Sequence, residues 1–267
     1  MRLLLLIVIV FWLCRLPAQP VPQKYYYNNG QLKSEGTADS LGRLHGVWTF
    51  YHENGTKKSE GTYAKGKSEG AWFFWSPAGK LEGYGWYKND KLDSVWYYFF
   101  PDGAIHRIVY YNMDSLHGSW VEYWHDTIKK EAGYYENGKK NGPWVKWYSN
   151  RKIEQEEYFI NGVQYGSWTH WYEDGQLESR GTIKNGNADG AWEFYHFNGK
   201  LRLEGQYRNG KRNGRWKDYK TDGQINSTGC YKDGIKVKKW KYFGDYGRLM
   251  RKEIYKKGKL FKEVRYG

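Results

Sequence analysis

Beyond residue 20 the apolar positions follow one pattern that never slips. Trp48, Trp72, Trp96, Trp120, Trp144, Trp168, Trp192, Trp216 and Trp240 stand 24 residues apart, nine copies with no insertion or deletion. Three residues after each comes an aromatic: Tyr51, Trp75, Phe99, Tyr123, Trp147, Trp171, Tyr195, Tyr219, Phe243. Nine after comes an aliphatic in seven copies (Leu81, Ile105, Ile153, Leu177, Leu201, Ile225, Leu249), and fifteen after comes Tyr, Phe or Ile, from Tyr63 to Tyr255. A partial copy, YYYNNGQLKSEG, precedes the first full unit. A spacing this constant means that each copy is one stacked structural unit, because an insertion would break register with both neighbours.

Each unit reads as two β-strands. Asn54-Gly55, Asp102-Gly103, Asp174-Gly175, Asn198-Gly199 and Asp222-Gly223 separate a Trp-containing run from a Tyr-containing run. Asn137-Gly138, Asn161-Gly162, Asn185-Gly186, Asn209-Gly210 and Asp233-Gly234 separate one unit from the next. Both series suit the positive φ angles of two-residue type I′ hairpin turns. No helical period appears after residue 20, and the runs between turns are short for helices. The expected fold is all-β: an elongated single-layer antiparallel meander of tandem hairpins, about twenty strands in all.

A two-residue turn at Asn54-Gly55 makes Glu53 face Thr56 and brings Trp48 opposite Gly61. The same register brings Trp192 opposite Gly205. A large ring beside a glycine covers the bare backbone. Alternation then assigns the Trp, the aliphatic at +9, the Gly at +13 and the Tyr at +15 to one face, and the aromatic at +3 to the other. Aromatic pairs across strands would replace a conventional core. In such an array an interior ring, Trp168, is expected to contribute more than Trp240 near the end.

Phrases such as YENGKKNGPWVKWY and YRNGKRNGRWKDY resemble the bacterial variant of the MORN repeat, roughly Tyr-x-x-Gly-x-x-x-Gly-x-Trp-x-x-Tyr followed by an Asn-Gly turn. The resemblance covers about residues 25–267. It is weakest where Ser94 replaces the leading Gly and where Met113-Asp114 and Asn150-Arg151 replace turn pairs. It implies an elongated meander and an interaction or scaffolding role; some relatives are called antitoxins, others membrane-associated scaffolds.

Residues 1–18 read as a signal peptide. Arg2 precedes an apolar run from Leu3 to Leu13, and cleavage after Ala18 would leave Gln19 first. The run is too short for an ordinary membrane-spanning helix; an uncleaved anchor, or a lipoprotein at Cys14, are the alternatives. Residues 19–45 then form an N-terminal segment with the partial repeat, and 46–267 the nine tandem repeats. The expected location is exported: periplasmic, outer-membrane-associated or secreted. Without the leader one cysteine remains, Cys230, read as a packing residue.

The formal charge is +14. Between Ile235 and Gly267, twelve Lys and Arg face three acids, a net +9. Charged terminal strands protect an open sheet edge; the same charge can hold an anionic partner. Lys256, Lys257, Lys259 and Lys262 are the candidates for that role. Tyr51, Trp75, Phe99, Tyr123, Trp147, Trp171 and Tyr195, on the +3 face, are the candidates for a repeated contact surface, and the nine Trp residues at 24-residue spacing are structural.

The seven histidines show no zinc-ligand spacing, and no nucleophile elbow or phosphate loop occurs. His52 and His196 share a repeat position, as an exposed strand site would. Glu60, Glu156 and Glu204 at +12 read as solvated charge near Lys58 and Arg202. Together these point to a non-catalytic scaffold with no cofactor and no metal. Its partner would be an unknown protein or an anionic envelope surface, lipid or glycan, rather than nucleic acid or a small-molecule substrate. The alternatives are a glycan-binding module using aromatic ladders and an antitoxin-like binding protein.

Overall fold

The structure, a computed structural model, describes residues 19–267; the expected signal peptide lies outside them. The described residues form twenty-two strands and two short 3₁₀ turns, His125–Thr127 and Asp245–Gly247, with no α-helix among them. Two compact units divide the chain: one runs up to Leu81 and takes in Trp86–Lys91, the other holds Glu82–Gly85 and Leu92–Gly267.

In the first unit Val21–Tyr26 pairs with Leu32–Ala38, which pairs in turn with Leu44–Tyr51, then Lys57–Ala64, then Lys67–Trp75, all antiparallel. The partial repeat thus supplies a genuine hairpin. In the second unit the strands pair antiparallel in chain order as far as Lys259–Arg265, with Val163–Gln164 and Gly166–Trp171 both pairing with Ile153–Ile160.

Trp48 lies opposite Gly61 and Trp192 opposite Gly205, as the sequence predicts, but by another route. The loop inside each repeat has three residues, not two: the His52 N–H donates to the Thr56 carbonyl at 2.8 Å, and the Gly55 N–H to the His52 carbonyl at 2.9 Å. Gly55 takes the left-handed conformation, φ 82°, while Asn54 does not. This is a turn followed by a glycine bulge. The one-residue offset is then cancelled by a second bulge, since Tyr51 pairs with Lys57 but Phe50 with Ser59. Asn-Gly reads alike in both loop types, so the dipeptide alone does not choose between them. The turns between repeats are of the expected kind. Glu136 pairs with Lys139, and Asn137 and Gly138 both have positive φ, 49° and 77°.

The second bulge also corrects the face assignment. The aliphatic at +9 pairs directly with the aromatic at +3, as in Tyr195–Leu201, Tyr219–Ile225 and Phe243–Leu249. Directly paired residues share a face. The +9 side chain therefore joins the +3 aromatic, opposite the Trp, because the bulge shifts its parity.

A further bulge between repeats explains Gly-x-Trp. Gly61 pairs with Trp72 but Thr62 with Glu69, which leaves Gly70 and Ala71 over, with Gly70 at φ 71°. That left-handed step is unfavourable for a side chain bearing Cβ. It brings the Trp72 ring down on Gly61 of the preceding repeat, where a Cβ would lie 2.1 Å from the ring. The ring thus covers the glycine of the repeat before it, not the one in its own hairpin. Its Nε1–H donates to the Thr62 carbonyl at 3.3 Å, and Trp48, Trp144, Trp192, Trp216 and Trp240 make the equivalent bond.

Seven of the nine Trp rings are buried, Trp48 and Trp216 to 1 % exposure. Each of the seven covers a glycine: Gly36, Gly61, Gly85, Gly133, Gly181, Gly205 or Gly229. Tyrosines at +15 stand edge-on between successive indoles. Tyr207 lies 5.8 Å from Trp192 and 5.1 Å from Trp216, and Tyr231 lies 6.1 Å from Trp216 and 4.9 Å from Trp240, all near perpendicular. Such contacts add about 0.5–1.5 kcal/mol each beyond area burial, and they bury a ring without a second sheet. Trp120 and Trp168 are only half-buried. Trp120 faces Val109, and the register beside Trp168 brings Glu157 to the glycine position. Position within the array is thus the wrong guide to Trp168: Trp240, over Gly229, is 5 % exposed.

Repeats are also tied at their loops. His52 Nε2 donates to the Trp75 carbonyl at 2.8 Å and His196 Nε2 to the Tyr219 carbonyl at 2.9 Å. Tyr148 and Tyr172 do the same through their hydroxyls. The recurrent His position is a half-buried clamp, not an exposed strand site.

Candidate binding face

The face opposite the Trp rings carries the +3 aromatics, the +9 aliphatics and the residues on either side of each Trp. In the second unit the ladder registers place these in rows. One row passes through Val95–Tyr110, Ser119–Tyr134, Pro143–Tyr158, Ser167–Thr182, Ala191–Gln206, Arg215–Cys230 and Lys239–Ile254, and Lys262 pairs with Ile254. The next row passes through Tyr97–Ile108, Val121–Ala132, Val145–Glu156, Thr169–Arg180, Glu193–Glu204, Lys217–Thr228 and Lys241–Lys252. Both rows begin apolar or aromatic and end basic.

At the basic end lies a cleft of about 800 Å³. Arg215, Lys217, Lys238, Lys239, Lys241 and Lys256 line it, over a floor that includes Ile225, Cys230 and Ile254. Cys230 is half-buried there. Lys217 is held by Glu204 at 2.7 Å. No carboxylate among the described residues pairs with Arg215, Lys239 or Lys241. Three cations converge without internal neutralisation over an apolar floor, which suits a ligand with an anionic group. Lys238 stands where most repeats have the leading Gly and keeps the left-handed conformation, φ 60°.

Several carboxylates on this face are engaged, though Glu156 finds no partner among the described residues. Glu204 accepts from Lys217 and from the Tyr219 hydroxyl, each at 2.7 Å, and these bonds hold its carboxyl below the ordinary value. Tyr195 and Arg180 do the same for Glu193. The Tyr51 hydroxyl donates to Glu35 at 2.7 Å, and that bond, reinforced by burial, pushes the phenol up to about 12. Glu60 pairs with Lys57 at 2.8 Å and Glu204 with Lys217, not with the bulge residues Lys58 and Arg202 that sequence proximity suggests.

The +3 candidates Tyr51, Trp75, Phe99, Tyr123, Trp147, Trp171 and Tyr195 lie on this face but none is exposed. Lys57 sits 5.2 Å over the Trp75 ring and Lys129 5.8 Å over Trp147. Among the four candidate lysines, Lys256 lines the cleft and Lys262 follows Ile254 in the row, while Lys257 and Lys259 belong to the last hairpin's turn end. Sequence reasoning missed Arg215 and Lys217. Their signal was local: only the last two repeats flank Trp with cations on both sides, as Arg-Trp-Lys and Lys-Trp-Lys.

No group of metal-ligating side chains occurs among the described residues, and no helix among them is long and apolar enough to cross a membrane. No curated protein matches the chain. Among solved structures, TcdB2-TccC3 matches at 12% identity over 90% of this chain and 16% of that chain, with a TM-score of 0.19. TcdB2-TccC3 without its hypervariable C-terminal region matches at 14% over 92% and 14%, with a TM-score of 0.22. The chain spans about a seventh of those proteins, and likeness at this level carries no argument. The MORN repeat variant model matches residues 21–39, 44–65, 164–185, 188–209 and 212–233. Those five stretches are hairpins of the 24-residue series, and they are MORN repeats of the variant type.

Proposed function

We propose that this repeat protein is a non-catalytic binding scaffold whose C-terminal repeats hold an anionic partner. The family supports a repeat scaffold or binding role. The observation that carries the finer reading is the cleft in which Arg215, Lys239 and Lys241 converge without carboxylate partners. In an exported chain that partner would belong to the envelope surface. An edge cap needs charge of either sign along the last strand; it does not need cations on a face as far in as the fifth strand from the end, where Arg215 lies. The test is Arg215→Glu, Lys239→Glu, Lys241→Glu in one chain, with retention measured on phosphatidylglycerol vesicles and on polyglutamate. The wild type should be retained on at least one of these and released by salt, since exposed charge is screened over about 8 Å at physiological ionic strength. The variant should not be retained. Equal retention of the two proteins would leave the basic residues as an edge cap.

A further inference from the structure

Tyr110, Tyr134 and Tyr158 occupy the same place, +14, in three successive repeats, and they are 40%, 43% and 41% exposed. Their cross-strand partners are short, Val95, Ser119 and Pro143, so each ring keeps an open side, although Tyr134 also meets the His117 ring edge-on at 6.3 Å. Successive tyrosines are two strands apart, about 9.5 Å along the ladder. Beyond Tyr158 the same row runs through Thr182 and Gln206 and enters the cleft at Arg215, Cys230 and Lys239.

We infer that this row is a track for an extended acidic glycan of the β-1,4-linked type, its sugar faces on the three tyrosines and its acidic groups in the basic cleft. The inference rests on the anionic-partner reading for its cationic end and adds the aromatic end. Three considerations select the ligand. The platforms recur at about the length of a disaccharide in such a chain, so every second sugar meets a ring in the same orientation. A tyrosine offers a flat apolar surface to the C–H face of a sugar, with a hydroxyl at its rim. The short residues between the rings leave space for ring substituents. A peptide would use free strand edges, which this face lacks. Single-stranded nucleic acid also stacks on aromatics, but it carries a phosphate with every base and needs cations beside every platform. The neighbouring row beside the tyrosines is Ile108, Val121, Ala132, Val145 and Glu156, with no cation, and the Glu156 carboxylate beside Tyr158 keeps the ligand's acidic groups to the basic cleft.

The test measures binding of the full described chain to carboxymethylcellulose oligomers, cellohexaose and oligothymidylate. It compares wild type with Tyr110→Ala, Tyr134→Ala, Tyr158→Ala together, and with Arg215→Gln, Lys239→Gln, Lys241→Gln together. All six side chains lie on the surface of the face, and thermal unfolding checks that both variants fold. The acidic oligomer should bind wild type most tightly. The tyrosine variant should lose about tenfold or more at every salt concentration. The cation variant should fall to the affinity wild type shows for cellohexaose and lose its salt dependence. If the tyrosine variant binds the acidic oligomer as wild type does, the track is refuted, while the anionic-partner reading stands or falls on vesicles and polyglutamate alone. Oligothymidylate binding tighter than the glycan, and lost with the tyrosines, would reassign the track to nucleic acid. No binding of wild type to any acidic oligomer would refute the inference outright.

Discussion

Trp216 and Trp168 occupy the same place in their repeats, yet one is 1 % exposed and the other half-buried. Their own hairpins are alike. The difference lies one repeat back, where Gly205 lets the Trp216 ring down onto bare backbone and Glu157 keeps the Trp168 ring up. Trp168 turns to its neighbours instead, stacking on His170 at 5.8 Å and tilting against Trp192 at 5.2 Å. Glu157 is meanwhile bound by the side-chain amides of Gln155 and Gln164, at 2.9 and 2.7 Å. The lesson is that a repeat's packing is decided at its junction with the previous repeat, so that the unit of stability is the junction.

The largest expected effect breaks that comparison directly. Trp216→Ala should cost about 3–5 kcal/mol, the range for a fully packed aromatic, and Trp168→Ala less than half as much. Urea unfolding of the two variants checks this, and equal losses would return the weight to position within the array. Gly205→Ala comes next, at about 1–3 kcal/mol, because its Cβ would lie 2.2 Å from the Trp216 ring. An added Cβ at Gly103, which has open space around it, meets no ring, so any loss there reports only its positive φ. The difference between the two melting curves isolates the ring contact. Glu157→Gly sharpens the comparison from the other side. It should let Trp168 settle and raise stability by about 1 kcal/mol, read as a higher midpoint and a blue-shifted tryptophan emission. A lower midpoint would show that the amide bonds to Glu157 outweigh the ring.

The smallest effect concerns pH. Glu204 is held below its ordinary value of 4.5, chiefly by Lys217 and then by Tyr219. A depressed carboxyl contributes its stability above the unfolded value and loses it as pH falls through the folded one. The midpoint should therefore drop on acidification below about pH 4.5, and Tyr219→Phe should flatten that fall while changing little at neutral pH. At the corresponding junction further back the +12 residue is Ala132, so Trp147→Phe should leave the acid limb unchanged. An acid limb identical in all three proteins would remove Glu204 from the account.

Much of the fold was legible in the residues because the period is constant. Nine Trp at one spacing, with turn dipeptides between, leave little but a hairpin meander, and the Trp48–Gly61 register follows from counting. Legibility failed at bulges. Lys58 is an ordinary lysine in the sequence, and nothing in its identity says that the strand slips there. One slip per hairpin moved every +9 aliphatic to the other face. It also gave Glu204 its bond to Lys217 rather than to Arg202, whose guanidinium lies 5.7 Å from the Phe194 ring. The basic end was visible as composition, but the residues that form the cleft come from four strands whose rows align only in the folded sheet.

The sequence by itself determined the repeat, its strands, the turns between repeats and which Trp faces which Gly. All of these depend on local chemistry and on distances along the chain that the fixed period preserves. Tertiary structure decided which glycine each indole covers, which face each side chain takes and which cations meet. These depend on bulges, where backbone geometry trades one residue of register for the descent of a ring onto the strand of another repeat. That exchange is settled by packing across the junction; the Gly of Gly-x-Trp permits it but does not say which glycine the ring will cover.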